Sequence, residues 1–161
     1  MTEVWKPIPP ELLRGITGYE ASTEGSIKST ARIIVRGEGI RQPVRERILK
    51  PSLDKGGCPF VSFSGSVTRR VGPLILSTFV GPCPPGLECC HWDDDPLNNR
   101  IENLRWDTRS ANRLDAIRNG KSRWTNHTHC PHRHELTEDN IIWHGPGKRW
   151  KRCKKCTQSR P

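Results

Sequence analysis

The chain has 161 residues, of which 32% are hydrophobic and 27% charged, and its mean hydropathy is −0.73. That gives room for one ordinary domain or two small ones and leaves little apolar material for a deep core. No stretch approaches the roughly 20 apolar residues a membrane span requires, and residues 1–6 show neither the basic leader nor the apolar run of a secretory signal.

Lys and Arg number 27 against 17 Asp and Glu, a net charge of +10, with a pI of about 9.7. This balance favours a polyanionic partner, because bound lysines and arginines release the counterions condensed on phosphates. Seven cysteines are an odd number. Some of them stand at metal-ligand spacing, so reduced thiols in a cytoplasm fit better than a disulfide framework. Small modules held by a metal are therefore expected.

In chain order, residues 1–30 are punctuated by Pro7, Pro9, Pro10, Gly18 and Gly25, which suits turns and short strands. Ile33-Ile34-Val35 and Pro59-Phe60-Val61-Ser62-Phe63 are further β-type runs, rich in branched and aromatic side chains. An N-terminal antiparallel sheet is expected over residues 1–66. The basic run 41–51 reads as a solvated linker with an option on the DNA backbone. Val71 to Val80 is the most apolar run, and Pro73 suits the first turn of a short helix whose Leu74, Ile75 and Phe79 are core residues.

After the loop Gly81-Pro82-Cys83-Pro84-Pro85-Gly86, Leu87 to His91 reads as a strand, Asp93-Asp94-Asp95-Pro96 breaks it, and Ile101 to Trp106 forms its return. Asp107 and Thr108 are N-cap types, Ala111, Leu114 and Ile117 share one helical face, and Gly120 ends that helix. The predicted unit, residues 67–120, is thus strand, loop, return strand and helix, with His91 on the first strand and Asn112 on the helix.

Phosphodiester hydrolysis needs an activated water, charge stabilisation on the phosphoryl oxygens and help for the departing 3′ oxygen. His91 is the natural general base, since a neutral imidazole takes a proton near pH 7. Asn103 on the return strand can accept a hydrogen bond from one ring nitrogen and so aim the other at water. Asn112 offers an amide oxygen suited to a hard cation such as Mg²⁺ or Mn²⁺. Asn98 and Asn99 are expected to brace the loop, Trp106 to sit in the core, and Trp92 to pack or touch a nucleotide.

This ββα-metal arrangement resembles the HNH endonucleases, particularly the homing endonucleases of phages and mobile introns. The opening, Trp5-Lys6-Pro7-Ile8, Tyr19-Glu20-Ala21-Ser22 and Gly25 to Ser29, is similar to the small module that commonly precedes HNH domains in that group. Phe79 to Pro82, His91, Asp93, Asn98-Asn99, Asn103 to Trp106 and Ser110-Ala111-Asn112 are similar to the group's core pattern. The resemblance implies that His91, Asn103 and Asn112 match the family's His, middle Asn and last metal-binding residue.

Two positions depart from the pattern. Many relatives have an Asp or other metal ligand immediately before the His, where this chain has Cys90, and a thiol is a poor partner for Mg²⁺. The second protein ligand then comes from elsewhere, with Asp93 the first candidate, or Cys90 favours a softer ion, or the site is impaired. Asp94 stands where relatives often have glycine.

Residues 121–161 hold ten Lys or Arg against three acidic residues, so the basic excess is concentrated there. Cys130 and His134 form a C-x3-H pair, Cys153 and Cys156 a C-x2-C pair, and together they suit a closed tetrahedral Zn²⁺ site, with His127, His129 and His132 as substitutes for the imidazole. Ile141-Ile142-Trp143 and Arg149 to Arg152 are expected to form a hairpin turning at Gly145-Pro146-Gly147, with the metal supplying much of the folding energy.

The fold class is accordingly α+β: a β-rich N-terminal module, a ββα-metal nuclease core and a C-terminal zinc-binding knuckle. Double-stranded DNA is the expected partner, met by Arg105, Arg109 and Arg113 around the core and by Arg149, Lys151, Arg152, Lys154 and Lys155 in the tail. A DNA endonuclease that nicks as a monomer is expected, in a host cytoplasm if the chain is phage-encoded. The alternative is a non-catalytic zinc-dependent DNA-binding or regulatory protein on the same scaffold. Cys83, Cys89, Cys90 and His91 as a second metal cluster rank below the nuclease reading.

Overall fold

The computed structural model describes residues 2–37, 39–121, 128–145 and 150–158. The chain divides into two compact units, residues 1–112 and 113–161. Fourteen prolines and fourteen glycines interrupt the chain often enough that its strands are only two to five residues long.

In the first unit, β1 (Trp5–Pro7) pairs antiparallel with β2 (Tyr19–Ser22), and β2 pairs with β3 (Ile27–Ser29). A separate ribbon follows, β4 (Arg32–Arg36) against β5 (Ile40–Val44), in register from Arg32–Val44 to Arg36–Ile40. β6 (Arg47–Ile48) then returns to β3 and completes a sheet of order β1-β2-β3-β6. The basic run 41–51 is therefore not a linker but supplies strands on both sides of Arg45-Glu46. β4 contains the expected β-type run Ile33-Ile34-Val35, and Ile33, Val35 and Ile40 are exposed on the ribbon.

β7 (Ser52–Leu53), β8 (Pro59–Ser62) and β9 (Thr68–Arg70) form a second antiparallel sheet. It leads directly into α1 (Val71–Phe79), where Pro73 occupies the first turn and needs no amide hydrogen. Val71, Leu74, Ile75 and Leu76 of α1 are buried against Ile8, Leu13, Tyr19, Ala21, Ile27, Val61, Phe63 and Leu104. Phe79 packs at the margin of that core. Helix α1 is the layer on which the N-terminal sheets and the following hairpin share one core.

That hairpin is β10 (Glu88–His91) against β11 (Leu104–Asp107), with His91 opposite Leu104 and Glu88 opposite Asp107. Trp106 is half-buried and donates its indole N–H to Gly81 O at 3.1 Å. The helix after it, α2 (Arg109–Arg118), is capped as its sequence demands. Thr108 Oγ1 accepts from Ala111 N at 3.2 Å. At the other end Gly120 is left-handed, with φ 67°, and Gly120 N and Lys121 N bond back to Ile117 O and Ala116 O. Leu114 departs from the expected apolar face, being 44% exposed, whereas Asp115 is buried and paired with Arg118 at 2.8 Å.

The loop between β10 and β11 is held by Asp93 and Asn103. Asp93 Oδ1 accepts from Asp95 N and Asn103 Nδ2, both at 2.9 Å, and Oδ2 accepts from Asn98 Nδ2 at 2.6 Å. Asn103 Nδ2 also donates to Asn98 O at 2.8 Å, and its Oδ1 accepts from Asp93 N at 3.2 Å. Asp94 takes the left-handed φ of 56°. Aspartate is among the non-glycine residues that best tolerate that conformation.

In the second unit, β12 (Ile141–His144) pairs antiparallel with β13 (Trp150–Cys153), with Ile141 opposite Cys153. α3 (Lys154–Gln158) follows without a loop. This is the expected hairpin, although Pro146, Gly147 and Arg149 lie outside the described residues. Among the described residues, no helix is long and apolar enough to cross a membrane.

The Asp93 brace has a pH signature. Partial burial works against ionisation of Asp93, but hydrogen bonds from the Asn98 side chain, the Asp95 N–H and the Asn103 side chain outweigh it and hold the carboxyl below the usual carboxylate value. A depressed folded-state value contributes stability that is full above the unfolded value of about 4 and is lost as pH falls through the lower folded value. Asp93→Asn is therefore expected to be less stable than the parent at neutral pH in urea melts, with the gap narrowing below about pH 4. A gap unchanged down to about pH 2 contradicts this assignment.

Candidate functional site

A cavity of about 630 Å³ opens in the first unit, lined among others by Gly72 of α1, Glu88, Cys89 and His91 of β10, Asp94 and Asn99 of the loop, and Asn112 of α2. His91 is half-buried, and its Nε2 lies 3.3 Å from Asn99 Oδ1. The orientation of that amide is determined by its other end. Asn99 Nδ2 donates to Pro96 O at 2.9 Å and to Leu97 O at 3.3 Å, so Oδ1 must face the ring. An amide oxygen can only accept, so Nε2 is the protonated nitrogen, and in the neutral ring the lone pair falls on Nδ1.

Asn99 is itself clasped. A Cβ on Gly72 would stand 2.8 Å from Asn99 Oδ1 and 3.1 Å from Cys89 Sγ. On Gly25, which has φ +94°, it would stand 3.0 Å from the Asn99 carbonyl carbon. Thr23 O, in the same turn, accepts from Ile101 N at 2.9 Å. The N-terminal sheet and α1 thus close on the residue that holds the histidine.

The ring's partner is Asn99 and not Asn103, the residue expected from sequence, whose amide is taken up by Asp93 and Asn98 as described above. Asn103 instead reaches the site through the backbone, its carbonyl accepting from Trp92 N at 2.9 Å. Nothing in the composition of the loop separates Asn99 from Asn98. The signal lies in the tertiary clasp.

Asn112 lines the same cavity and donates from Nδ2 to Glu88 Oε1 at 2.9 Å. Cys90 is fully buried, with Sγ 3.6 Å from Glu88 O and 3.9 Å from Asp107 O, and it is not among the residues lining the cavity. Asp93 does not line it either, since both its oxygens are used inside the loop. Cys89 does, but burial, followed by the neighbouring thiols of Cys90, Cys58 and Cys83, pushes it up to about 12. A thiol is also a soft donor, a poor partner for Mg²⁺.

Of the basic residues expected to meet DNA, Arg105 is occupied within the fold. Its guanidinium stacks on Trp92 at 3.8 Å from the ring centroid and its Nε pairs with Asp107 at 2.9 Å. Arg109 and Arg113 are exposed on α2, and Arg152, Lys154 and Lys155 are exposed in the second unit, where Lys151 is half-buried.

In the second unit, Cys130, His134, Cys153 and Cys156 bring four ligand atoms within 4.8 Å of one another. Among the described residues this is the group of three or more Cys, His or acidic side chains close enough to share an ion. Cys130 Sγ and Cys156 Sγ are 3.6 Å apart, while His134 Nδ1 is 3.3 Å from Cys156 Sγ and 3.7 Å from Cys153 Sγ. Nitrogen and sulfur ligands at about 2.0–2.3 Å from a tetrahedral zinc stand about 3.3–3.8 Å apart, so these three separations match that ion. His129 and His132 are exposed and outside the group, and His127 lies outside the described residues.

Burial pushes the Cys153 thiol up, but hydrogen bonds from the Cys156 amide and from the Cys156, His134 and Asn140 side chains outweigh it and bring it to about 6. Burial, followed by hydrogen bonding with Cys130 and Cys153, raises Cys156 to about 12. Asn140, buried at the start of the hairpin, donates to Cys153 Sγ at 3.4 Å and to Glu135 O at 2.6 Å, and His134 N donates to Cys130 Sγ at 3.3 Å. These donors orient the sulfurs in the way outer partners orient metal ligands.

Comparison with known proteins bears on both ends of the first unit. Residues 74–114 match the family model for HNH endonuclease, and residues 3–64 match the NUMOD4 motif. A solved structure of the HNH homing endonuclease I-HmuI, described as binding and cleaving DNA, has a TM-score of 0.52 and 26% sequence identity to this chain. The similarity covers 74% of this chain and 60% of that one. Curated proteins give no match. Residues 74–114 are thus similar to the HNH endonucleases, and the stretch before them, whose sheet closes on the β10–β11 loop, is similar to the NUMOD4 motif.

Proposed function

We propose that the chain is a metal-dependent DNA endonuclease that hydrolyses phosphodiester bonds and nicks one strand as a monomer. The observation that carries this reading is the His91–Asn99 pair, a histidine with a fixed tautomer in the same cavity as Asn112. The HNH match and the likeness to a homing endonuclease that binds and cleaves DNA support it.

His91 Nδ1 takes a proton from the attacking water, and Asn99 Oδ1 holds the Nε2 proton as the ring becomes positive. Asn112 is the residue that would hold Mg²⁺ or Mn²⁺ through its amide oxygen. Such a cation, when bound, neutralises charge on the phosphoryl oxygens and on the departing 3′ oxygen. The exposed Arg109 and Arg113, with Arg152, Lys154 and Lys155, supply backbone contacts that position double-stranded DNA without reading its bases. Arg105 acts indirectly, by fixing Trp92 beside the histidine.

With supercoiled plasmid and Mg²⁺ or Mn²⁺, the purified chain is expected to give nicked circles. His91→Ala is expected to lower the rate by about 10²–10⁴-fold, the usual range for losing a general base. Asn99→Ala is expected to lower kcat by a smaller factor at unchanged KM. If the parent nicks no DNA with either ion while still binding it, the non-catalytic DNA-binding reading, motivated by Cys90, replaces this one. If His91→Ala cuts as fast as the parent, the base is assigned to the wrong residue.

We propose zinc as the ion of the second unit. About one zinc per chain is expected in the purified protein, and Cys153→Ser combined with Cys156→Ser is expected to lose it. Loss of the β12–β13 hairpin signals in NMR spectra should accompany that loss, because little apolar core would remain to hold the strands. Full zinc content in the double variant contradicts the ligand assignment.

A further inference from the structure

We infer that Glu88 and Asn112 together form the hard-cation site beside His91, supplying the oxygen ligand that Cys90 does not. This inference rests on the nuclease reading for its role, but its geometry stands independently. Cys90 Sγ is buried against two backbone carbonyls and is not among the cavity-lining residues. Two residues earlier on the same strand, Glu88 lines the cavity and meets Asn112 across it.

The separation of the two side chains is that of neighbouring ligands on one ion. Oxygens bound in cis positions at about 2.0–2.1 Å from an octahedral Mg²⁺ stand about 2.9 Å apart. Asn112 Nδ2 and Glu88 Oε1 are 2.9 Å apart. A half-turn of the Asn112 amide puts Oδ1 where Nδ2 stands and converts the hydrogen-bonded pair into a two-oxygen chelate with no movement of the backbone. The carboxylate–amide bond keeps that geometry in place until the ion arrives.

Charge points the same way. Among the described residues, no lysine or arginine pairs with Glu88. A carboxylate of that kind in a cavity meant for a phosphodiester repels its substrate, and a divalent cation held on it reverses the sign of the local field. Asp94 is the other carboxylate lining the cavity, and it serves as the control.

The test is Mn²⁺ binding to the full-length, zinc-loaded chain without DNA, read from the electron paramagnetic resonance signal of free Mn²⁺. Glu88→Gln and Asn112→Ala are each expected to weaken binding by at least about tenfold, the scale of losses at metal sites. Cys90→Ala and Asp94→Asn are expected to bind within about threefold of the parent. Glu88→Asp, which keeps the charge on a shorter arm, is expected to fall between parent and Glu88→Gln, and zinc content with thermal melting checks that every variant is folded.

Parent-like binding by Glu88→Gln, a tenfold loss in Cys90→Ala or Asp94→Asn, or no Mn²⁺ bound by the parent each overturns the inference. Its failure is separable from that of the nuclease reading. A parent that nicks plasmid while Glu88→Gln binds Mn²⁺ normally sinks only the ligand assignment. A Glu88-dependent Mn²⁺ site in a chain that cuts no DNA sinks only the nuclease.

Discussion

The Asn99 amide is the contact on which the first unit's chemistry depends. Its nitrogen is consumed by the carbonyls of Pro96 and Leu97, its oxygen faces the ring of His91, and Gly25 and Gly72 let it sit where any side chain on either neighbour would collide with it. A buried amide whose donor end is satisfied by fixed carbonyls has no freedom to flip. The histidine next to it therefore has one tautomer. The N-terminal sheet, helix α1 and the β10–β11 loop each contribute one wall of this clasp, which explains why the NUMOD4 stretch and the HNH stretch share a single hydrophobic core.

Much of this fold was legible in the sequence because short-range physics dictates it. Proline in the first turn of α1, Thr108 as N-cap and Gly120 as left-handed C-terminal glycine lie where propensity alone puts them. The Cys130-x3-His134 and Cys153-x2-Cys156 pairs also meet as their spacing requires, because each tight pair is presented by a local turn or helix start. Strand β4 contains the expected β-type run Ile33-Ile34-Val35, whereas β5 overlaps the run that reads as a linker, because it is polar, carries a proline and is exposed over Ile40 to Pro43, a pattern that does not differ from that of a linker.

The site was less legible than the fold, for a physical reason. Which of three loop asparagines faces His91 is decided by contacts with residues more than twenty positions away, and no local pattern carries that information. The sequence pattern makes Asn103 and Asp93 candidates for the chemistry, whereas in the fold they hydrogen-bond each other and Asn98. Their contribution is to hold the loop so that Asn99 reaches the ring. Glu88 was read as an ordinary strand residue because its partner, Asn112, stands 24 positions later on another element. Only the folded register brings the carboxylate and the amide together.

The most direct measurement is the tautomer of His91 in the free protein, read from long-range nitrogen–proton NMR correlations of the imidazole near neutral pH. The parent is expected to hold the Nε2–H tautomer, with both tautomers appearing in Asn99→Ala. A parent ring protonated on Nδ1 instead, or a ring whose tautomer is indifferent to Asn99→Ala, would contradict the role of the Asn99 amide.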